Sequence, residues 1–561
     1  MAGYLTMLFL QLNPALPLRP AAIGPLALAL WLSYGLHAAI FFYVVLAIRQ
    51  LFAEEPLSPG WVSVKLLAWL CACCAGIAAV ITWLNLRNFR LSLTEEAARG
   101  MALGAATLTV CAALFLLLAG VRHSIGRPGR AIGGWLLAAV AVASLAGPLW
   151  WRGPGAAPPA GGTVDRAHAF TPRSGNGRVI LITLDGASLD FISPAAADGR
   201  LPNFGRLLDT GAVMHLATLR PTQAAPVWTS VATGKLPPKT GVRSGARFRP
   251  FGTGTPLQLL PDYCFAHALV SVGLFTQTPL DATAVRAPPI WEILGASGVS
   301  SGIVRWPLTY PARMTSGVLV SDRFHHARDT AAGLTDLALT SPADIVDPAL
   351  VDRARAPEPL LSALPRERLD AVSGPIALDR VYGAVADRLS ERRDLHLIAV
   401  RYEGLDAAGH FYLREAMPRA FGDVAEVDRR QYGRVLEQYY RYIDARIGAA
   451  IGETGPDDLL LVVSGFGMQP LSLVKRVLER LTGNSAMSGT HERAPDGFLL
   501  AWGRSVRAGR YPRAAVVDVT PTLLYFFGLP IGRDMDGFAR TDIFTRAFTE
   551  DRPLSFIRSY E

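Results

Sequence analysis

Asp406 and His410 stand four residues apart in RYEGLDAAGHFYL, directly after an apolar run. On a helix that spacing puts both side chains on one face, as two ligands of one cation require. The same spacing also makes ordinary surface pairs. His491 lies in SGTHERAPDGFLLAWG, in a Gly- and Ser-containing loop just ahead of another apolar run. Together Asp406, His410 and His491 would form a three-ligand nitrogen and oxygen site with an open fourth position, a pattern suited to zinc and hydrolysis. Asp185 ends the run ITLDGAS, where a carboxylate is placed to project into a crevice or to cap the next helix.

Two further stretches bear on this chemistry. In RPTQAAPVWTSVATGKLPPKTGV (220–242), Pro226 suits the first turn of a helix, and an anion would settle at the positive end just ahead of it. A hydroxyl nucleophile belongs at that point. The residues there are Ala224 and Ala225, and Thr222 is the nearest substitute. The other stretch, LLLVVSGFGMQP (459–470), reads as a buried strand, yet it ends in Ser464-Gly465-Phe466-Gly467 with no metal ligand.

The elements that must position these residues are strand-like apolar runs alternating with helical spacing. The runs are RVILITLDG, GIVRWP, GVLVSDR, LHLIAVRYEG, LLLVVSGFG and GFLLAWG. Such alternation predicts an α/β fold with a mostly parallel sheet covered by helices on both faces, over about 178–545. Ligands then gather beyond the carboxyl ends of the strands. Residues 243–290 read as irregular, 325–390 as a helical insert over the strand ends, and 546–561 as a C-terminal tail. The Pro- and Gly-rich stretch 152–177 reads as a tether.

Ahead of the tether the composition changes. Residues 1–152 hold no aspartate and four glutamates against ten Lys and Arg. Four uncharged runs, about 21–48, 66–86, 100–121 and 131–151, are each long enough to cross a hydrocarbon core of about 30 Å. An all-α, four-helix transmembrane domain over 1–151 is expected, with the lipid bilayer as its partner. The net charge of +9 divides into +6 there and +3 in the rest. The basic excess therefore belongs to headgroups and topology, and nucleic acid is set aside as a partner. Arg49, Arg122, Arg127 and Arg130 on one face balance Arg19, Arg87, Arg90 and Arg99 on the other, so the charge bias assigns no orientation. Cys264 is the one thiol outside the runs, which precludes a disulfide within the soluble part.

Taken in order, LITLDG, LPNFGRLL, PVWTSVATGK, WPLTYPA, GVLVSDR, DAAGH, SGTH and DVTPTLLYFFGLP resemble the type I phosphodiesterase/nucleotide pyrophosphatase branch of the alkaline phosphatase superfamily. The resemblance covers roughly 178–540 and implies that fold, with two zinc ions bridging a phosphate and a Thr or Ser nucleophile on one of them. It matches Asp406, His410 and His491 to the ligands of one zinc, and Asp185 to one ligand of the other. The family's Ser-Asp-His-Gly-Met falls on Ser464-Gly465-Phe466-Gly467-Met468, so Gly465 and Phe466 are lost ligand positions. The nucleophile position falls on Ala224. The resemblance thus implies a membrane-anchored pseudoenzyme with one zinc at most, binding a phosphorylated or sulfated small molecule, lipid, glycan or partner. The alternative is an active one-metal phosphodiesterase, phosphatase or transferase at the membrane surface. The family also favours a bacterial-type inner membrane with the soluble domain outside the cytoplasm.

Overall fold

The computed structural model describes residues 1–52, 64–124, 130–155, 177–251, 255–326, 339–343, 345–346, 366–422, 424–472, 475–476 and 487–561. Most of the tether and much of the insert, 327–338 and 347–365, lie outside them. The chain forms two compact units, one of residues 1–161 with 243–280, the other of 162–242 with 281–561.

The first unit is built on helices at Ala2–Leu12, Pro20–Leu30, Leu36–Phe52, Val64–Phe89, Glu95–Ser124 and Arg130–Arg152. Among the described residues four stretches are long and apolar enough to cross a membrane: Pro20–Ile48, Leu67–Ser92, Glu95–Gly120 and Gly133–Arg152. They coincide with the four uncharged runs. The short Ala2–Leu12 helix is buried from Tyr4 onward. Its C-terminal carbonyls are orphans by geometry. Arg152 covers several carbonyls at that end, donating to Leu10 O at 2.6 Å and Asn13 O at 3.0 Å.

Residues 243–280, expected as an irregular stretch of the phosphodiesterase-like domain, belong instead to this helical unit. They form an antiparallel hairpin, Ala246–Pro250 against Phe275–Pro279, whose Phe248 and Phe275 pack with Leu5, Phe9, Leu26 and Leu30. Two buried asparagines fasten the connecting segment. Asn13 donates to Leu259 O at 2.8 Å and accepts from the amides of Gln258 and Leu259 at 2.9 and 3.0 Å. Asn85 donates to Asp262 O at 3.0 Å and accepts from Asp262 N at 2.8 Å. A side-chain amide can donate and accept at once, so each satisfies a strand-less backbone that would otherwise be buried unpaired.

The second unit is centred on a sheet that has ten strands among the described residues. Its main strands are β1 (Val179–Leu184), β2 (Ala212–Ala217), β3 (Ser301–Val304), β4 (Gly317–Val320), β5 (Leu397–Tyr402), β6 (Leu459–Phe466) and β7 (Asp496–Trp502). The order is Gly509–Arg510, β2, β7, β6, β1, β5, β3, β4, Thr340–Ser341, and the tenth strand, Ala514–Ala515, also pairs with β2 off this path. The central run β6-β1-β5-β3-β4 is parallel, and β7 is antiparallel to both β6 and β2. Alternate side chains of β1 enter separate cores. Ile180, Ile182 and Leu184 pack on the side of helices Arg366–Ser390, Gly404–Ala416 and Val435–Glu453. Val179 and Leu181 pack on the side of helices Ala224–Thr233, Ile290–Ala296 and Val519–Phe526. Strands covered on both faces read as unbroken apolar runs, as these do. The C-terminal stretch folds back: Phe556–Ile557 pairs with Ile531–Gly532, and Tyr560 is buried.

Candidate metal centre

The parallel strands β1, β5 and β6 release their chains at one edge, where the candidate residues collect. β5 runs through Glu403 into the Gly404–Ala416 helix, which carries Asp406 in its first turn and His410 one turn later. His491 follows the two-residue strand Gly489–Thr490. One ligand atom each from Asp406, His410 and His491 lie within 4.8 Å of one another. Asp406 Oδ2 stands 3.4 Å from His410 Nε2 and 3.7 Å from His491 Nε2.

The remaining ring nitrogens are fixed by backbone carbonyls, His410 Nδ1 with Gly489 O at 2.8 Å and His491 Nδ1 with Thr222 O at 3.2 Å. A carbonyl can only accept, so both Nδ1 atoms carry the proton and both Nε2 atoms present a lone pair. Asp406 Oδ1 is buried without a hydrogen-bond partner. Two lone pairs, a carboxylate and an orphaned oxygen suit one divalent cation, and the donor set is one that zinc accepts. Burial works to lower the His410 imidazole, but Asp406 more than offsets it and holds the group above the ordinary value. Burial brings His491 below its ordinary value.

Asp185 stands apart from that group. It is 2% exposed, and both its oxygens are taken. Arg401, inside β5, donates to Oδ2 at 2.5 Å and to Oδ1 at 3.2 Å. Trp228 Nε1 donates to Oδ1 at 2.6 Å. The carboxylate expected as a weak second-metal ligand is therefore bound by the protein's own cation. Burial pushes the Asp185 carboxyl up to about 6 even with Arg401 against it.

Gly465 and Phe466, which the resemblance marks as lost ligand positions, are filled as well. Phe466 is buried with its ring 4.9 Å from that of His491. A Cβ at Gly465 would meet Val227 Cγ1 at 2.6 Å and Trp228 Cζ2 at 3.3 Å. Gly186, at φ +71°, lets the turn after Asp185 lie against the ligand helix, since a Cβ there would come within 2.8 Å of Asp406 Cα.

Nucleophile candidates fare no better. Ala224 opens the Ala224–Thr233 helix, whose first residues offer no hydroxyl. Thr222 is buried, and its hydroxyl donates to Leu219 O at 2.8 Å. Its carbonyl, not its hydroxyl, meets the metal group through His491.

Sequence reasoning missed four residues, Arg401, Glu403, Arg305 and Asp379. Arg401 was visible as a lone base in the otherwise apolar LIAVRY. It pairs on its other side with Glu403, which also meets Arg305 at 2.8 Å, and Arg305 pairs with Asp379. Burial works against the Glu403 carboxylate, but Arg401 and Arg305 more than offset it and hold it down at about 2. Asp379, fully buried, accepts the amides of Glu403 and Gly404 at 3.0 and 2.9 Å. A carboxylate on those two amides fixes the start of the ligand helix.

The family model for type I phosphodiesterase / nucleotide pyrophosphatase matches residues 179–519, more than half of the chain. No curated protein sequence matches. Among solved structures the chain is similar to murine ectonucleotide pyrophosphatase/phosphodiesterase 5, at 13% identity and a TM-score of 0.39, covering 66% of this chain and 100% of that one. The inactive variant of the same murine protein in complex with AMP matches at 13% identity and a TM-score of 0.37, covering 63% of this chain and 95% of that one. The chain belongs to the type I phosphodiesterase/nucleotide pyrophosphatase family.

Proposed function

We propose that this chain is a membrane-anchored member of that family that holds a single divalent cation, zinc by its donor set, and binds a phosphorylated or sulfated ligand or partner without the two-metal covalent reaction. The observation that carries the reading is the Arg401–Asp185–Trp228 cluster. A guanidinium, already charged and dry, neutralises the one surviving acid of the second centre.

Asp406, His410 and His491 would hold the cation, which when bound supplies a positive charge for a phosphate or sulfate oxygen. The chain's own residues then do three things. The carbonyls of Gly489 and Thr222 keep both imidazoles in the ligating tautomer. Asp379 holds the helix carrying Asp406 and His410 in place. Phe466 covers one side of His491 with an apolar ring. None of them offers a nucleophile, and with Asp185 held by Arg401 the described residues present no second ligand cluster for a cation that would stabilise a leaving oxygen. The four apolar helices of the first unit support anchoring in a bilayer.

The test pairs binding with turnover on the full chain in detergent. Calorimetry should find inorganic phosphate or sulfate bound by the zinc-loaded protein and lost in His491→Ala. Bis-p-nitrophenyl phosphate should not be hydrolysed by either. Hydrolysis that disappears in His491→Ala would replace this reading with a one-metal hydrolase.

A further inference from the structure

The segment that leaves the phosphodiesterase-like unit to fold with the helices exposes apolar side chains. Phe251 is 75% exposed, Phe265 69% and Val272 64%. Residues 251–280 contain no Lys, Arg or Glu, and their one carboxylate, Asp262, accepts from Asn88 Nδ2 at 2.9 Å. A surface so poor in charge, with single large apolar groups facing outward, suits a partner that is itself apolar.

The backbone is bent where Phe265 turns outward. Tyr263 and Phe265 have φ of +65° and +55°, a left-handed conformation that bulky residues seldom adopt. Such a conformation persists only where the surroundings enforce it. Here they do. Asn85 grips the backbone of Asp262, Asn88 donates to Tyr263 Oη at 3.0 Å, and Tyr34 donates to Cys264 O. Asn85 and Asn88 lie in the last turns of the Val64–Phe89 helix, near the end of the candidate span Leu67–Ser92. The turn is therefore held at the level where such a span would meet the headgroups. Tyr263, with an apolar ring and a bonded hydroxyl, has the amphipathic character favoured at that depth.

We infer that residues 262–272 sit in the headgroup–acyl boundary of the bilayer, with Phe265 and Val272 inserted among lipid chains. This rests on the membrane reading of the helices, and the test separates the two. The full chain is reconstituted in nanodiscs of phosphatidylethanolamine and phosphatidylglycerol with p-benzoylphenylalanine placed singly at Phe265, Val272, Leu117 or Phe538. Leu117 is an exposed residue within the span Glu95–Gly120, and Phe538 an exposed residue of the other unit. After illumination, mass spectrometry should find lipid adducts at 265, 272 and 117, and none at 538. Adducts at 117 but not at 265 or 272 would overturn the inference while leaving the spans intact. No adduct at 117 would overturn both. Cross-linked dimers from 265 in place of lipid adducts would assign the face to a second copy and also overturn the inference.

Discussion

Replacing Arg401 by Met keeps most of the stem and deletes the charge. Its two carboxylate partners then fare differently. Glu403 is partly exposed and keeps Arg305, so it can rehydrate. Asp185 is buried and keeps only the Trp228 indole. Breaking one side of a buried ion pair costs about 3–5 kcal/mol, because the carboxylate left behind must stay uncompensated or take up a proton. For a unit of this size each kcal/mol lowers Tm by about 2 °C or slightly less, so Arg401→Met should melt roughly 5–10 °C early. The assay is thermal unfolding of the full chain followed by tryptophan fluorescence, repeated for Asp185→Asn and the double variant. Since the damage comes from a stranded charge, Asp185→Asn placed on Arg401→Met should restore about 1–3 kcal/mol, a coupling expected of contacting residues. An Arg401→Met protein that melts with the wild type would refute the reasoning. Strictly additive losses would refute it too.

The other expectations follow from the same geometry. Zinc must displace a proton from His410, whose pKa lies above its ordinary value, so affinity should fall as pH drops, at about tenfold per unit. His491, brought down by burial, should steepen that fall only at lower pH; a pH-independent affinity by calorimetry would contradict the assigned ligands. Gly465→Asp should lose about 1–3 kcal/mol of stability by overpacking alone, since its Cβ already meets Val227 at 2.6 Å, and urea unfolding reads the loss. The combination Ala224→Thr, Gly465→Asp, Phe466→His should gain neither a second metal nor diesterase activity while Arg401 and Trp228 remain; gain of either would show that the second centre was merely unliganded.

What could be read from the sequence was local. Asp406 and His410 share a helix face because a four-residue spacing dictates it, and the apolar runs at 179–182, 397–400 and 459–463 read directly as covered strands. That Gly465 and Phe466 carry no metal-ligating side chain was equally plain in the sequence. What stayed hidden depended on partners far apart in the chain. Asp185 looked like a lone carboxylate because its cation lies 216 residues away, and Asp379 sits in a stretch that looked like an insert. The excursion 243–280 has short, irregular apolar spacing, and its order comes from asparagines at positions 13 and 85. Side-chain amides hidden in apolar helices carry no periodic signal, so neither end announces the other.

The central claim is that a built-in guanidinium has replaced one of two metal ions. Elemental analysis of the full chain, purified without chelator, equilibrated with excess zinc and then desalted, measures this most directly. The account predicts one zinc per chain in the wild type and none in His491→Ala. Two zinc ions per wild-type chain would contradict it.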